Sequence, residues 1–309
     1  MTRATMTGNH ATHFPHLSSQ DAPARTAVIL GAAGQLGTAL QASAPESVEV
    51  RVLTRQQLDV TDAQAVAKHP AFVGADVVIN AAAYTDVDGA EEHVDAAYAL
   101  NAVAPGLLAA RAAAEGSHFI HVSTDYVFGE SALRRPWTPT DPTNPHTAYG
   151  KTKRAGELAV FNATAQATVV RTAWVWSGPT QPQAKDFVST MLNLENRTAP
   201  DGTIKVVNDQ HGNPTFVGDL AAALWECALR PVPGIFHVTG SGTATWNDLA
   251  REVFRAVGAD PTRVLMCDSS EFPTPARRPA WSVLDGQAWV EAGFAPLPEW
   301  RDALTKVLT

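Results

Sequence analysis

Short, continuous apolar runs alternate along the chain with longer stretches suited to helices. The first run is TAVIL at 26–30, a second strand reads at 48–53, and further strands follow at 75–80 (ADVVIN), 118–123 (HFIHVS) and 167–171 (ATVVR). A strand with one wet face alternates apolar and polar residues. Unbroken runs of this kind belong to strands covered on both faces, as in parallel sheets. Between them the pattern predicts a helix over 35–43 after a glycine-rich turn. It predicts a helix start at Thr61, within LDVTD at 58–62, and an Ala-rich helix from about Glu91 to Ala114. Strands that alternate with helices imply right-handed crossovers and a parallel α/β sheet.

The second half has another texture. Residues 174–210 and 240–309 are richer in Pro, Gly and Trp, and their periodicity is interrupted. That suits a small lobe assembled at the carboxyl ends of the strands, where ligands of such sheets bind. GIFHV at 234–238 reads as a strand returning to the main sheet. The expected architecture is therefore α/β: a Rossmann-type doubly wound parallel sheet with a smaller C-terminal substrate-binding lobe. Its division is a leader at 1–25, a dinucleotide domain at 26–173 rejoined by 206–240, and a lobe at 174–205 and 241–309. A chain of 309 residues accommodates two such units.

Composition narrows the partners. Apolar residues make up 45% and charged residues 17%, enough to bury a sizeable core. The net charge of −8 argues against a nucleic-acid partner, since the densest basic runs are the single pairs Arg134-Arg135 and Arg277-Arg278. Cys227 and Cys267 form no CxxC pair, so neither a disulfide scaffold nor a cysteine zinc site is expected and a reducing cytoplasm is the default. No apolar run reaches the roughly 18 residues of a membrane helix, and residues 1–25 lack a signal peptide's apolar stretch. His10, His13 and His16 in that leader invite a metal reading. Pro15 and the Thr, Ser, Asn and Ala around them read instead as a disordered tail.

After the first strand comes Gly31-Ala-Ala-Gly34-Gln-Leu-Gly37. Glycines at this spacing, between an apolar strand and a helix start, give a tight turn and bring the backbone against a pyrophosphate at a helix amino terminus. GxxGxxG, as opposed to GxGxxG, resembles the extended short-chain dehydrogenase/reductase group. The second strand ends in Thr54-Arg55, with no Asp or Glu to grip a ribose 2′-hydroxyl. A guanidinium there can receive a 2′-phosphate, so NADPH is preferred, with NADH left open. Asp59 is a candidate for the adenine end, and Ala81 and Ala82, in NAAA at 80–83, are small where cofactor and backbone must run close.

Tyr149 and Lys153 stand four apart in AYGKTKRAGEL at 148–158, on one face of a predicted helix. A ketone that receives hydride needs a proton on its oxygen. A phenol beside an ammonium can give one, the ammonium lowering a pKa that is otherwise near 10. Ser123-Thr124 follows directly after a predicted strand and offers a hydroxyl donor to the same oxygen.

STDYVF at 123–128, YGKTKRAGE at 149–157, RTAWVW at 171–176, VVNDQHGNPT at 206–215 and TPARRPAWSVLD at 274–285 occur in this order. Together they resemble the dTDP-4-dehydrorhamnose reductase family of extended short-chain reductases, over about 26–305. The resemblance implies NAD(P)H-dependent reduction of the C4 ketone of a dTDP-4-dehydro-sugar. Tyr149 is then the proton donor, Lys153 its modulator and ribose ligand, and Thr124 the group that polarises the carbonyl. It places cofactor contacts on Gly31, Gly34, Gln35, Leu36, Asp59, Ala81, Ala82 and Thr85. Sugar contacts fall on Val87, Tyr126 and Trp174, with Arg278 and the region of Gln210 toward the nucleotide. Some family members carry a Glu in the first helix that helps bind magnesium at a dimer contact. Ala39 stands there, so no metal is expected and a homodimer is left open. Asp186 stands before Phe187 where the family often has Asn, and a carboxylate facing the diphosphate would repel it.

Two other readings share these residues. A nucleotide-sugar epimerase or dehydratase uses the same turn and YxxxK, and Thr124-Asp125 invites a dehydratase assignment, although Asp125 reads as structural within STDYVF. A non-catalytic cofactor-binding regulatory subunit needs only the turn; an intact Thr124, Tyr149 and Lys153 favours chemistry.

Overall fold

The computed structural model describes residues 25–309 apart from 131–133, 184 and 200. The leader lies outside these residues, with its histidines, save Arg25. That residue opens the first strand, and its guanidinium donates to the carbonyls of Ala228 and Leu229.

The first half runs β1 (Arg25–Leu30), α1 (Gln35–Ala42), β2 (Val48–Leu53), α2 (Ala63–Lys68), β3 (Val77–Asn80), α3 (Gly89–Glu92), α4 (Val94–Tyr98), α5 (Ala104–Ala114), β4 (His118–Thr124), α6 (Ala148–Ala163) and β5 (Ala167–Thr172). There follow β6 (Val175–Trp176), α7 (Phe187–Arg197), β7 (Ile204–Val207), β8 (His211–Gly212), β9 (Thr215–Phe216), α8 (Val217–Leu229) and β10 (Gly234–His237). The chain closes with β11 (Ala244–Thr245), α9 (Trp246–Ala256), β12 (Val264–Cys267), α10 (Gln287–Glu291) and α11 (Trp300–Leu308).

Six strands form one sheet in the order β10-β5-β4-β3-β1-β2, and every neighbouring pair is parallel. Alternate residues of each strand serve opposite faces. Ala27 and Ile29 of β1 pack with Leu40 of α1 and Leu220 and Leu224 of α8, whereas Val28 and Leu30 pack with Val66, Leu108 and Val160. This double covering is why the strands read as unbroken apolar runs. The chain crosses from β2 back over β1 to β3, and a crevice opens there at the carboxyl ends of the strands. The segment at 234–237 joins the sheet beside β5.

A separate apolar cluster unites Trp176, Val188, Met191, Val206, Phe254 and Trp300 from α7, α9, α11 and the β7–β12 pair. The amino terminus of α9 carries a reciprocal cap between Thr245 and Asp248. Among the described residues no helix is long and apolar enough to cross a membrane.

The helix expected from about Glu91 to Ala114 is interrupted. It breaks at His93 and again in a π-turn at Ala99–Val103 before α5 begins. Pro105 has no N–H to offer the Asn101 carbonyl four residues back. The Asn101 side chain instead clamps the Tyr84 backbone at both ends (2.8 and 3.0 Å) and donates to Thr152 Oγ1 (3.2 Å). The helix start expected at Thr61 falls at Asp62, whose carboxylate caps Gln64 and Ala65.

Candidate active site

The turn after β1 is shaped by two glycines. Gly31 has φ +75°, and a Cβ on it would lie 2.6 Å from the Ala82 nitrogen; a Cβ on Gly37 would lie 2.3 Å from the Gly31 carbonyl oxygen. The turn therefore sits directly on the end of β3, and α1 starts with no side-chain cap on its amino terminus. Uncapped N–H groups aimed at a crevice are a ready anion site. A cleft of about 500 Å³ opens here, lined by Gly31, Gly34, Arg55, Asp59, Ala81 and Ala82 among others. Arg55 is exposed and makes no ion pair among the described residues. Asp59 is held by Thr61 (Oγ1 at 2.6 Å, N at 3.0 Å). Those hydrogen bonds, helped by the charge of Arg55, keep its carboxyl below the usual range.

The other expected cofactor residues are placed differently. Leu36 packs against the core and Ala39 is within it. Thr85 is exposed on the loop after β3, outside the cleft lining. The Gln35 side chain turns to the second half of the chain, donating to Ser177 Oγ (3.0 Å) and Asp186 (3.1 Å). Asp186 also caps Ser189 and accepts from the Ser177 and Gly178 backbones, so its carboxylate is held by N–H donors of its own segment.

Helix α6 carries Tyr149 and Lys153 and is capped by Thr147, whose hydroxyl accepts from the Gly150 N–H at 3.0 Å. A Cβ on Gly150 would lie 2.2 Å from the Tyr126 carbonyl oxygen. That contact brings the first turn of α6 against the end of β4. Tyr149 stands edge-on to Tyr126, centroids 5.6 Å apart, and shares the cluster of Ala90, Ala97 and Ala148 with Tyr84 of the cleft wall. Its phenol faces the Thr124 hydroxyl.

The phenol is not acidified as expected. Burial pushes its pKa well above the ordinary tyrosine value, and the Thr124 hydroxyl only partly offsets this. Lys153 Nζ is turned from the phenol and donates 2.6 Å to the Val122 carbonyl. Burial pulls the Lys153 ammonium down to about 8, with Glu157 holding it up.

One turn beyond Lys153, Glu157 is the hub of a buried network that was not foreseen. Its carboxylate takes a two-pronged bond from Arg171 (2.8 Å each), another from Ser123 (2.6 Å) and one from Arg154 (2.8 Å). This ties α6 to β4 and β5 and so fixes Tyr149 and Lys153 relative to Thr124. Glu157 and Arg171 both lie within the motifs YGKTKRAGE and RTAWVW, and that membership is the signal that singles them out.

A second cavity of about 840 Å³ adjoins Tyr126 and is lined by Phe187, Lys205, Gln210, Trp246 and Arg278 among others. Arg278 donates to the Tyr126 phenol (3.1 Å) and to Asp88 (2.6 Å), and Asp88 also accepts from the Ala276 N–H (3.0 Å). Asp88 thus clasps the 274–285 segment to the loop after β3, at a separation no local pattern reveals. Val87 is half-buried beside it, outside the lining of either cavity. Trp174, at φ +46°, lies face to face on Trp246 with centroids 3.6 Å apart, and it is Trp246 that walls the cavity.

Tyr149 and Thr124 themselves line neither cavity: Tyr149 packs on Tyr126, which lines the larger one, and shares a cluster with Tyr84, which lines the cleft, so phenol and hydroxyl lie behind the walls of both. Such a pair can protonate an oxygen that gains negative charge.

The model of the RmlD substrate binding domain matches residues 25–309. A dTDP-4-dehydrorhamnose reductase of Mycolicibacterium smegmatis is 47% identical over 286 residues, covering 92% of this chain and 85% of that protein. A crystal structure of a dTDP-4-dehydrorhamnose reductase from Clostridium acetobutylicum superposes with a TM-score of 0.85 at 39% identity, covering 92% and 98% of the two chains. One from Bacillus anthracis, in complex with NADP, does so with a TM-score of 0.85 at 30% identity and the same coverage.

Proposed function

The chain belongs to the dTDP-4-dehydrorhamnose reductase family of oxidoreductases, and we propose that it reduces the C4 ketone of dTDP-4-dehydro-β-L-rhamnose with NADPH to give dTDP-β-L-rhamnose. The observation that carries this reading is the Tyr149 phenol beside the Thr124 hydroxyl, packed on Tyr126 of the larger cavity and clustered with Tyr84 of the cleft.

NADPH fits the first cleft. The glycine turn leaves no room for a Cβ, the amino terminus of α1 is free for the pyrophosphate, and Arg55 is free for a 2′-phosphate. The NADP complex of the Bacillus anthracis neighbour supports the choice. When bound, NADPH supplies the hydride. Lys153, one turn from Tyr149 on α6, would hold the nicotinamide ribose once its Nζ leaves the Val122 carbonyl. The sugar nucleotide occupies the second cavity, with Arg278 toward its diphosphate and Tyr126 beside its sugar.

As hydride reaches C4, its oxygen becomes an alkoxide, and Tyr149 gives it a proton while Thr124 stabilises the charge. A raised phenol pKa suits this direction. It keeps Tyr149 protonated at neutral pH, and an alkoxide is a stronger base than a phenolate, so transfer remains downhill.

Arg55→Ala removes the 2′-phosphate partner. KM for NADPH should rise about tenfold, as for loss of a charge-assisted bond of roughly 1.4 kcal/mol, while KM for NADH stays unchanged. Equal effects on both coenzymes would place the 2′-phosphate elsewhere. Asp88→Asn loosens Arg278, and KM for the sugar nucleotide should rise roughly three- to tenfold with kcat and NADPH affinity nearly unchanged. An unchanged KM would show that Arg278 does not depend on the clasp.

The reading is tested by initial rates with freshly generated dTDP-4-dehydrorhamnose and each reduced coenzyme in parallel. One coenzyme should be oxidised for each dTDP-rhamnose formed. Product formed with the coenzyme pool unchanged would mean isomerisation, and the reductase reading would fall.

A further inference from the structure

Asp125 follows Thr124 in the short turn at Asp125–Val127 and is 2% exposed. Its Oδ1 accepts the Thr124 hydroxyl at 2.9 Å. Its Oδ2 is buried with no hydrogen-bond partner. The Ser282 hydroxyl lies beside it, but donates to the His211 carbonyl at 3.3 Å. An ionised carboxylate with one oxygen orphaned in the interior is costly, whereas a carboxylic acid needs fewer partners. Among the described residues no Lys, Arg or His forms an ion pair with Asp125. The groups that face it are Tyr126 on its own turn, Tyr149 of α6, and Ser282 of the 274–285 segment. Arg278 lies beyond the Tyr126 phenol, and Thr172 of β5 is in register with Thr124.

Thr124 has a single hydroxyl proton. While that proton points at Asp125, the oxygen can only accept; the Tyr126 N–H donates to it (3.2 Å) and the Tyr149 phenol faces it. Reversing the Asp125 bond frees the proton. We propose that Asp125 is a positioning residue that acts as a neutral carboxylic acid, donating to Thr124 Oγ1 so that the Thr124 hydroxyl is released to donate to the reacting oxygen. Asp125 keeps its proton throughout, so no atom is left unbalanced. The inference rests on the reductase reading above.

Burial supports the neutral form, raising the Asp125 carboxyl to about 6 against the opposing influence of the neighbouring Ser282 and Thr124 hydroxyls and the backbone. The sign follows directly. Below that pH Asp125 is neutral and Thr124 is free, so kcat falls as pH rises through about 6.

The test compares wild type, Asp125→Asn and Asp125→Ala in kcat against pH, with NADPH affinity measured separately as the check of folding. The Asn amide also donates to Thr124 Oγ1 but does not ionise. It should therefore restore at least tenfold of the kcat that Ala loses, and its profile should be flat where the wild type declines. Thr124→Val, with Asp125 intact, should lose the same decline in its residual rate.

A wild-type profile without the decline would overturn the inference. So would an Asn variant that keeps the decline, or one as slow as Ala while binding NADPH normally. Failure of the wild type to oxidise NADPH would instead sink the reductase reading, so the two failures are distinct.

Discussion

Tyr149→Phe should lower kcat by about 10²–10⁴-fold, the usual contribution of a positioned acid, while NADPH affinity stays within about twofold. The substitution removes one oxygen and leaves the ring. The edge-on contact with Tyr126 and the packing on Ala90, Ala97 and Ala148 persist, so the site keeps its shape. What is lost is the phenolic proton beside Thr124 that the reading delivers to the ketone oxygen. KM for the sugar nucleotide should change little, because the lost interaction strengthens as charge develops on the ketone oxygen. Undiminished turnover would remove Tyr149 from the chemistry, whereas a loss of NADPH binding would show that the variant had disturbed the cleft.

The second large effect is on stability. Arg171→Met leaves Glu157 buried without its two-pronged partner; the two side chains are 1% and 0% exposed. Removing one member of such a pair costs about 3–5 kcal/mol, roughly 10 °C in Tm. Burial raises the Glu157 pKa, but Arg171, with Ser123 and Arg154, more than reverses this and leaves it below the usual range. A depressed carboxylate stabilises the fold above its unfolded pKa, and that contribution is lost as pH falls through the folded one. In the variant the buried carboxylate keeps only Arg154 and Ser123 and is partly relieved by protonation. The gap between wild type and variant should therefore be widest at neutral pH and narrow on acidification. Arg171→Met combined with Glu157→Leu should recover much of the loss, since neither charge remains stranded. Thermal melts across pH for the three proteins check this, and a gap that does not depend on pH would contradict the role given to Glu157.

Much of this architecture was legible because it depends on local pattern. Five of the six sheet strands, GIFHV among them, carry apolar runs that announce cover on both faces without any knowledge of partners, while the edge strand β2, VEVRVL, alternates apolar and charged residues. Glycine at 31 and 37 is demanded by backbone contacts within the turn and against Ala82, so the turn too is written locally. Tyr149, Lys153 and Thr124 were legible because helix spacing and a strand end place them.

What escaped depends on distant partners. The Asn101 clamp on Tyr84 joins residues 17 positions apart, and the Asp88 clasp reaches a partner 190 positions away. The direction of the Tyr149 pKa was misjudged for the same reason. Spacing puts an ammonium on the right helix face, but the Val122 carbonyl decides where it points, and burial then dominates. Trp174 shows the limit of a single aromatic as a signal. Its face is taken by Trp246, which no motif singled out.

The most direct test of the central claim is a crystal structure of the chain with NADPH and dTDP-rhamnose. The Tyr149 and Thr124 oxygens should both lie within hydrogen-bond distance of the sugar O4, with C4 facing the nicotinamide. A sugar seated in the cavity with its O4 away from Tyr149, toward some other acid, would contradict the account.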